Sequence, residues 1–279
     1  MPELPEVETI ARELDARLPG RRIEGVTVFR ADALGGETPE RFERALAGRT
    51  ITRCSRRGKF LIFRLAPERY LVAHLRMTGK FALSEPLPEP LPYQRLWFPL
   101  DSGEVLVFQD LRCFGTLEVV EALSDSPSLA KLGVEPLSRE FTPAWLAQAL
   151  SGSRSPLKHW LMDQSKVAGL GNIYVSEILY AAGLDPKSPA GRLKPGQIAR
   201  LREKTQRILR LAIKKNGTTI RDFRRVDEHK GEFQNFLQVY GKAGEPCPRC
   251  ETPIRRIVQQ QRSTFYCPSC QRGSRRRAA

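Results

Sequence analysis

Residues 247–270 read CPRCETPIRRIVQQQRSTFYCPSC, and this stretch decides how the chain ends. Cys247 and Cys250 form one C-x2-C pair and Cys267 and Cys270 a second, with sixteen residues between the pairs. Each pair closes a tight knuckle that aims two thiolates at one point, and four thiolates complete a tetrahedral zinc shell. Disulfide pairing would need an oxidising compartment, which nothing else in the sequence suggests. A redox C-x-x-C usually stands alone within a strand–helix unit. Ile254–Val258 and Ser263–Tyr266 read as the two strands of a hairpin. The expected module is a β-hairpin zinc finger with so little core that it folds only around its one structural Zn2+. With four sulfurs bound, that metal keeps no position for substrate. Cys54 and Cys113 lie far from the cluster in sequence.

Upstream of the finger the apolar spacing is helical. Pro195–Lys215 ends before Gly217, Ile173–Ala181 ends before Gly183, Pro156–Met162 is shorter, and Thr142-Pro143 opens a helix through Leu150. Before about Gly133 the pattern changes to short strand-like runs: Ile23–Phe29, Thr50–Cys54, Phe60–Leu65, Leu71–Leu75, Tyr93–Pro99, Val105–Gln109 and Thr116–Val120. Two helices accompany them. One is Val7–Leu18, with Val7, Ile10, Ala11, Leu14 and Leu18 on one face; the other follows an N-cap at Thr38, with Pro39 in its first turn, through Ala47. The four prolines between Glu85 and Pro92 make that stretch a loop. Many short strands with two helices predict a two-sheet β-sandwich. The expected fold class is α+β and multidomain: a sandwich with flanking helices over residues 1–133, a helical domain over 134–236, the zinc finger over 237–273 and a basic tail over 274–279.

Length and charge bound the function. A chain of 279 residues is long for one core, and 41% apolar residues exclude wholesale disorder. Uncharged apolar runs such as Tyr70–Ala73 are far too short to span a membrane, and Met1-Pro2-Glu3 lacks the basic-then-apolar order of a secretory signal. A soluble protein of the cell interior is expected. Lys plus Arg exceeds Asp plus Glu by 46 to 31, a net +15, with a pI near 9.9. Polyanions, nucleic acid first, are the natural partners of such a field, although a basic enzyme can carry the same charge for no specific purpose.

The opening Met1-Pro2-Glu3-Leu4-Pro5-Glu6-Val7-Glu8 carries possible chemistry. Proline is small enough for Met1 to be removed, which leaves Pro2 with a free secondary amine. Such an amine titrates near pH ~8, against ~10.4 for a lysine, so part of it is neutral at physiological pH. A neutral amine attacks an electrophilic sugar carbon and gives an iminium. Glu3 is placed to protonate a leaving sugar oxygen, and Glu6 to stabilise the cation or pass protons. The same residues also read as a rigid, proline-fixed start to a helix whose N-terminus favours acids. Both readings stand on the residues alone.

Six motifs in order resemble the formamidopyrimidine-DNA glycosylase/endonuclease VIII family over nearly the whole chain. They are the N-terminal Met1–Thr9 segment, Arg56-Arg57-Gly58-Lys59-Phe60-Leu61, His74-Leu75-Arg76-Met77-Thr78-Gly79, Leu161-Met162-Asp163-Gln164 with Gly169-Leu170-Gly171-Asn172-Ile173-Tyr174, Leu237-Gln238-Val239-Tyr240-Gly241, and the four-cysteine finger. Leu4, where the endonuclease VIII branch usually has glycine, favours the formamidopyrimidine branch. Gly169-Leu170-Gly171 is no dinucleotide loop, because Tyr174 takes the third glycine's place and no strand precedes it.

The resemblance implies roles for matching residues. Pro2 is the Schiff-base nucleophile, Glu3 the proton donor and Lys59 the lysine of β-elimination, with Glu6 and Arg262 in the same catalytic set. His74 matches a phosphate contact. Met77, Arg112 and Phe114 match the residues inserted into DNA when the damaged base is flipped out; in isolation Met77 and Phe114 read as core residues. Lys158 matches a lysine near the damaged nucleotide's phosphate, Asn172 a donor at the turn of a helix–two-turns–helix motif, and Arg262 the arginine that grips the backbone across the lesion. The stretch 216–232 matches a loop that covers the everted base. Three positions depart from the usual pattern: Leu111 replaces proline, Cys113 replaces a second arginine and Arg76 replaces glycine.

The resemblance therefore implies a bacterial base-excision-repair DNA glycosylase with AP lyase activity. It would remove oxidised purines such as 8-oxoguanine from duplex DNA by β,δ-elimination. It would act as a monomer on damaged double-stranded DNA, in the cytoplasm at the nucleoid, without a small-molecule cofactor or a membrane. The alternatives are an endonuclease VIII-like preference for oxidised pyrimidines and a non-catalytic damage-binding protein.

Overall fold

A computed structural model describes residues 1–85, 89, 91–219, 226 and 229–272. Half of the proline-rich stretch, part of the 216–232 segment and the basic tail lie outside the described residues. The chain divides into two compact units. The first comprises Met1–Lys131 with the described residues of Lys215–Glu232, and the second Leu132–Lys214 with those from Phe233 onward.

The first unit is a two-sheet sandwich. Helix α1 (Leu4–Asp15) leads into β1 (Thr27–Val28), α2 (Pro39–Leu46), β2 (Thr50–Arg57), β3 (Phe60–Ala66), β4 (Arg69–His74), β5 (Gly79–Ser84), β6 (Gln94–Pro99), β7 (Val105–Asp110) and β8 (Thr116–Val120). A short turn of helix, α3 (Pro127–Ala130), follows. One sheet has the order β1-β6-β7-β5 and the other β2-β3-β4-β8, with every pairing antiparallel. Phe63 of the second sheet meets Phe81 of the first at 5.2 Å between ring centroids, and Phe81 meets Phe108 at 5.1 Å. Leu61, Leu71, Leu96, Phe98 and Leu117 fill the same core. Each such buried side chain stabilises the fold by roughly 1.5–3 kcal/mol before entropy is counted.

Local chemistry explains where elements begin. The Thr38 hydroxyl accepts the Arg41 N–H at 3.3 Å and caps α2, as its sequence predicts. Helix α1 starts three residues earlier than its apolar spacing suggests, because Glu3 and Glu6 close a capping box over its first turn. The expected strand Ile23–Phe29 is interrupted: Ile23 bridges Leu100 and only Thr27–Val28 pairs with β6, with Gly25 between them. Strand β5, absent from the sequence reading, is an edge strand whose Lys80, Ala82 and Ser84 dilute the β signal.

Among its described residues the second unit holds four α-helices, α4 (Pro143–Leu150), α5 (Leu157–Met162), α6 (Asn172–Ala182) and α7 (Pro195–Lys214), and the hairpin β9 (Arg255–Gln259) with β10 (Arg262–Tyr266). The link from α5 to α6 is two consecutive turns, stapled by Gln164. Its Oε1 accepts the Gly169 N–H at 2.9 Å, and its Nε2 donates to the Met162 and Leu170 carbonyls at 2.8 Å each. Buried Glu177 on α6 accepts the amides of Gln238, Val239 and Tyr240 at 2.9, 2.9 and 2.8 Å and so fixes the segment that leads to the finger. Burial pushes its carboxyl pKa up, against the pull of those amides.

Candidate active site and nucleic-acid interface

In the first unit, strand register gathers the candidates at one end. The Arg56 Nε donates to Glu8 Oε2 at 2.7 Å, and the Cys54 N–H to Asp15 Oδ1 at 2.6 Å. These two ties run α1 along β2 so that its N-terminus, with buried Pro2 and Glu3, lies toward the β2–β3 turn. That turn is Gly58-Lys59. Gly58 has φ +58, the left-handed conformation a two-residue hairpin turn asks of its first position, and Lys59 is buried beside it. Phe60 pairs with His74 and His74 with Thr116, so Lys59, the end of β4 and the start of β8 share one edge.

Glu6 is a strut at this edge. Its Oε2 accepts the Glu3 N–H at 2.8 Å and its Oε1 the Thr218 N–H at 2.7 Å. Both oxygens hold backbone, one at the N-terminus and one in the 216–232 segment. Gly217 makes the approach possible: its φ is +76, and a Cβ there would fall 2.9 Å from Glu6 Cγ.

His74 is buried under the T-shaped contact of Phe60, with ring centroids 4.6 Å apart. Burial, followed by the charges of Arg76 and Lys59, lowers its pKa to about 3, so the ring is neutral at physiological pH. Its Nδ1 accepts the Arg76 N–H at 3.0 Å, which leaves the proton on Nε2.

Met77, Arg112 and Phe114 are not core residues. Phe114 is 53% exposed, Met77 and Arg112 are also exposed, and the Arg112 guanidinium lies 4.9 Å from the Phe114 ring centroid. Leu111, where the family usually has proline, is 70% exposed beside them. Met77 and Phe114 each follow a non-glycine residue in the left-handed region, Arg76 at φ +51 and Cys113 at φ +56. Relieving the first should be measurable. Arg76→Gly is expected to stabilise the protein by about 0.5–1 kcal/mol, since a left-handed non-glycine residue costs about 1–2 kcal/mol and glycine gives back part of that in chain entropy. Thermal melting checks this, and an unchanged or lowered Tm would contradict it.

In the second unit three candidates converge on β10. Lys158 is fully buried; its Nζ donates to the Ser263 carbonyl at 3.0 Å and to Thr264 Oγ1 at 2.6 Å. Asn172 Nδ2 donates to the same Ser263 carbonyl at 3.0 Å. The neighbouring Arg262 is exposed at the start of β10, after the Gln260-Gln261 turn. The finger itself fits zinc. The Sγ separations are 3.4 Å for Cys250–Cys270, 3.5 Å for Cys250–Cys267 and 3.9 Å for Cys247–Cys270, and all four lie within 4.8 Å. A tetrahedral shell with Zn–S bonds of about 2.3 Å has S–S edges of about 3.8 Å. The Arg249 and Cys270 amides point at Cys247 and Cys267 Sγ at 3.5 and 3.3 Å, and the Tyr180 hydroxyl lies 3.3 Å from Cys247 Sγ. These cysteines hold one structural zinc.

A sandwich with an N-terminal proline and acids at one edge, a helix–two-turns–helix unit and a four-cysteine hairpin finger together define a class. Residues 1–117 match the formamidopyrimidine-DNA glycosylase N-terminal domain, 132–224 its H2TH domain and 244–273 the zinc finger found in FPG and IleRS. The chain belongs to the formamidopyrimidine-DNA glycosylase family. It is 46% identical to the formamidopyrimidine-DNA glycosylase of Moorella thermoacetica, covering 92% of this chain and 94% of that protein. It is 44% identical to that of Geobacillus kaustophilus, over 98% and 100% of the two. The Lactococcus lactis Fpg in complex with DNA containing an abasic site has a similar structure, with a TM-score of 0.90 at 36% identity over 97% of this chain and 100% of that one.

Lys59 and His74 are buried at the end of the second sheet, and Met77, Arg112 and Phe114 are exposed on the links beside it. Three residues with structural consequence escaped the sequence reading. Asp110 and Gln164 received no role, and Glu177 went unmentioned. Asp110 ends the apolar strand β7, Gln164 lies just past α5 and Glu177 sits among apolar residues inside α6, so a polar side chain in or beside an apolar run is the only signal the sequence offers.

Proposed function

We propose that the protein is a base-excision DNA glycosylase with AP lyase activity, acting on oxidised purines such as 8-oxoguanine in duplex DNA. The observation that carries this is the gathering, at one edge of the first unit, of the Pro2-Glu3 terminus, the Lys59 turn and the exposed Met77, Arg112 and Phe114. Pro2 with Met1 removed supplies a secondary amine. Its lone pair attacks C1′ of the deoxyribose, the bond from C1′ to the base breaks, and the base leaves with that electron pair and takes up the proton that the amine nitrogen sheds, so the nitrogen regains its lone pair. Glu3 donates a proton to the ring oxygen as the sugar opens, and nitrogen and C1′ are left as an iminium. Loss of a C2′ proton, with Lys59 as the nearby base, then expels the 3′ phosphate; a further elimination expels the 5′ phosphate. Glu6 positions Glu3 and the Thr218 segment.

Exposure of the base precedes this chemistry. Phe114 and Met77 supply apolar bulk to fill the vacated stack, and Arg112 supplies donors to the orphaned base. Arg262 and Asn172 belong to the phosphate-holding set, which positions the duplex without reading its sequence, and buried Lys158 supports it by holding the Ser263 carbonyl and Thr264 hydroxyl next to Arg262. Among the described residues no helix is long and apolar enough to cross a membrane. The site of action is the bacterial nucleoid.

Labelled duplexes test the assignment. The strand with 8-oxoguanine opposite cytosine should be cut much faster than one with thymine glycol. Faster cutting of thymine glycol would assign the protein to oxidised pyrimidines, and tight binding without cutting would make it a damage-binding protein.

A further inference from the structure

Met77 and the Arg112/Phe114 pair sit on the two links that carry the chain from one sheet to the other at this edge. Residues 74–79 pass from β4 to β5, and residues 110–115 from β7 back to β8. Because β4 pairs with β8 and β5 with β7, the links start and finish side by side: His74 faces Thr116, and Gly79 faces Asp110.

One side chain joins them. Asp110 is 1% exposed. Its Oδ2 accepts the Phe114 and Gly115 amides at 2.8 and 2.6 Å, and its Oδ1 accepts the Arg112 amide at 3.1 Å and the Thr78 hydroxyl. The Thr78 oxygen in turn accepts the Arg112 N–H at 3.0 Å. The backbone of Asp110 is fixed as well. Its N–H donates to the Tyr93 carbonyl at 2.9 Å, and its own carbonyl accepts the buried Arg95 Nε at 2.7 Å. Thr78 follows Met77 directly, and the captured amides belong to Arg112, Phe114 and the residue after Phe114. The carboxylate therefore touches both links at the residues that carry or adjoin the exposed side chains.

We infer that Asp110, through Thr78, is a positioning residue that locks the two sheet-to-sheet links into one unit, so that Met77, Arg112 and Phe114 enter DNA together and in register. This rests on the glycosylase function proposed above and adds a coupling between wedge and orphan-base reader. Multiple backbone amides converging on one buried carboxylate hold a loop far more firmly than water-exposed contacts do. Without that hold, Arg112 meets the orphaned base in several orientations and loses its preference among bases.

Two variants test it. Asp110→Asn sets an NH2 or a weaker acceptor against amides that need acceptors, and Thr78→Val removes only the tie between the links. With 8-oxoguanine duplexes, Asp110→Asn should excise at least about 30-fold more slowly, and both variants should narrow the ratio of rates opposite cytosine and opposite adenine by at least about fivefold. Borohydride trapping on a single-stranded abasic oligonucleotide needs no base eversion, so it should stay within about twofold of the unmodified protein. If both variants keep the cytosine-to-adenine ratio, or if trapping falls in step with excision, Asp110 is not a coupler of the links. A parent protein that fails to trap the abasic strand would instead overturn the glycosylase function on which the coupling depends.

Discussion

A preparation that retains Met1 should bind damaged duplex and leave it uncut. With Met1 in place the Pro2 nitrogen is an amide, its lone pair is delocalised into the carbonyl, and it cannot form an iminium. Processed protein, with the free amine, should nick the same duplex at least about 1,000-fold faster, the scale on which loss of a covalent nucleophile is felt. Binding should differ little, because Arg112, Phe114 and Arg262 are untouched by the terminus. Pro2 is already buried against the start of α1, and Glu6 holds the next residue by its amide at 2.8 Å. Removing Met1 therefore changes the chemistry of one nitrogen in a terminus whose neighbours are set. Gel separation of products from matched preparations, each verified by intact mass, decides the matter; equal nicking by the two would contradict the covalent route.

Stripping the zinc should be the second large effect, and it should appear in binding. The finger's own core among the described residues is Val239, Ile254, Tyr180 and the ligand cysteines Cys247 and Cys267, too little to fold without metal. Once β10 melts, Arg262 loses its place and the Ser263 carbonyl no longer anchors Lys158 and Asn172, which meet it at 3.0 Å each. Loss of the charged Arg262 contact alone, worth roughly 1.5–3 kcal/mol, weakens binding about 10- to 100-fold. Fluorescence anisotropy with a labelled lesion duplex during chelation should show that loss, and added Zn2+ should restore affinity. Cys250→Ser should behave like the stripped protein. Unchanged affinity after verified metal loss would contradict the structural role.

Much of this organisation is written in local sequence. Thr142 caps α4 by accepting the Trp145 amide at 3.1 Å, and Thr116–Val120 is a strand over the same residues that its alternation suggests. The two C-x2-C pairs declare the finger because four thiolates at that spacing have few other uses. The N-terminal chemistry is different. Pro2, Glu3 and Glu6 satisfy a helix start as well as a catalytic centre, and only the family resemblance separates the two.

Contacts between distant residues were not legible. Asp110 looks like a polar end to an apolar strand until Thr78, 32 residues away, donates to it. Lys158 and Asn172 share a carbonyl 105 and 91 residues downstream, and no local pattern encodes that meeting. Met77 and Phe114 carry the composition of core residues. They stand exposed because each is thrown outward by a left-handed residue at a crossover between sheets.

The covalent claim is tested most directly by locating the bond. Processed protein incubated with an 8-oxoguanine duplex and borohydride should yield a protein–DNA adduct, and peptide mass mapping should place the reduced linkage on the N-terminal peptide that begins at Pro2. Attachment to the peptide containing Lys59, or no adduct under conditions where the strand is cut, would contradict it.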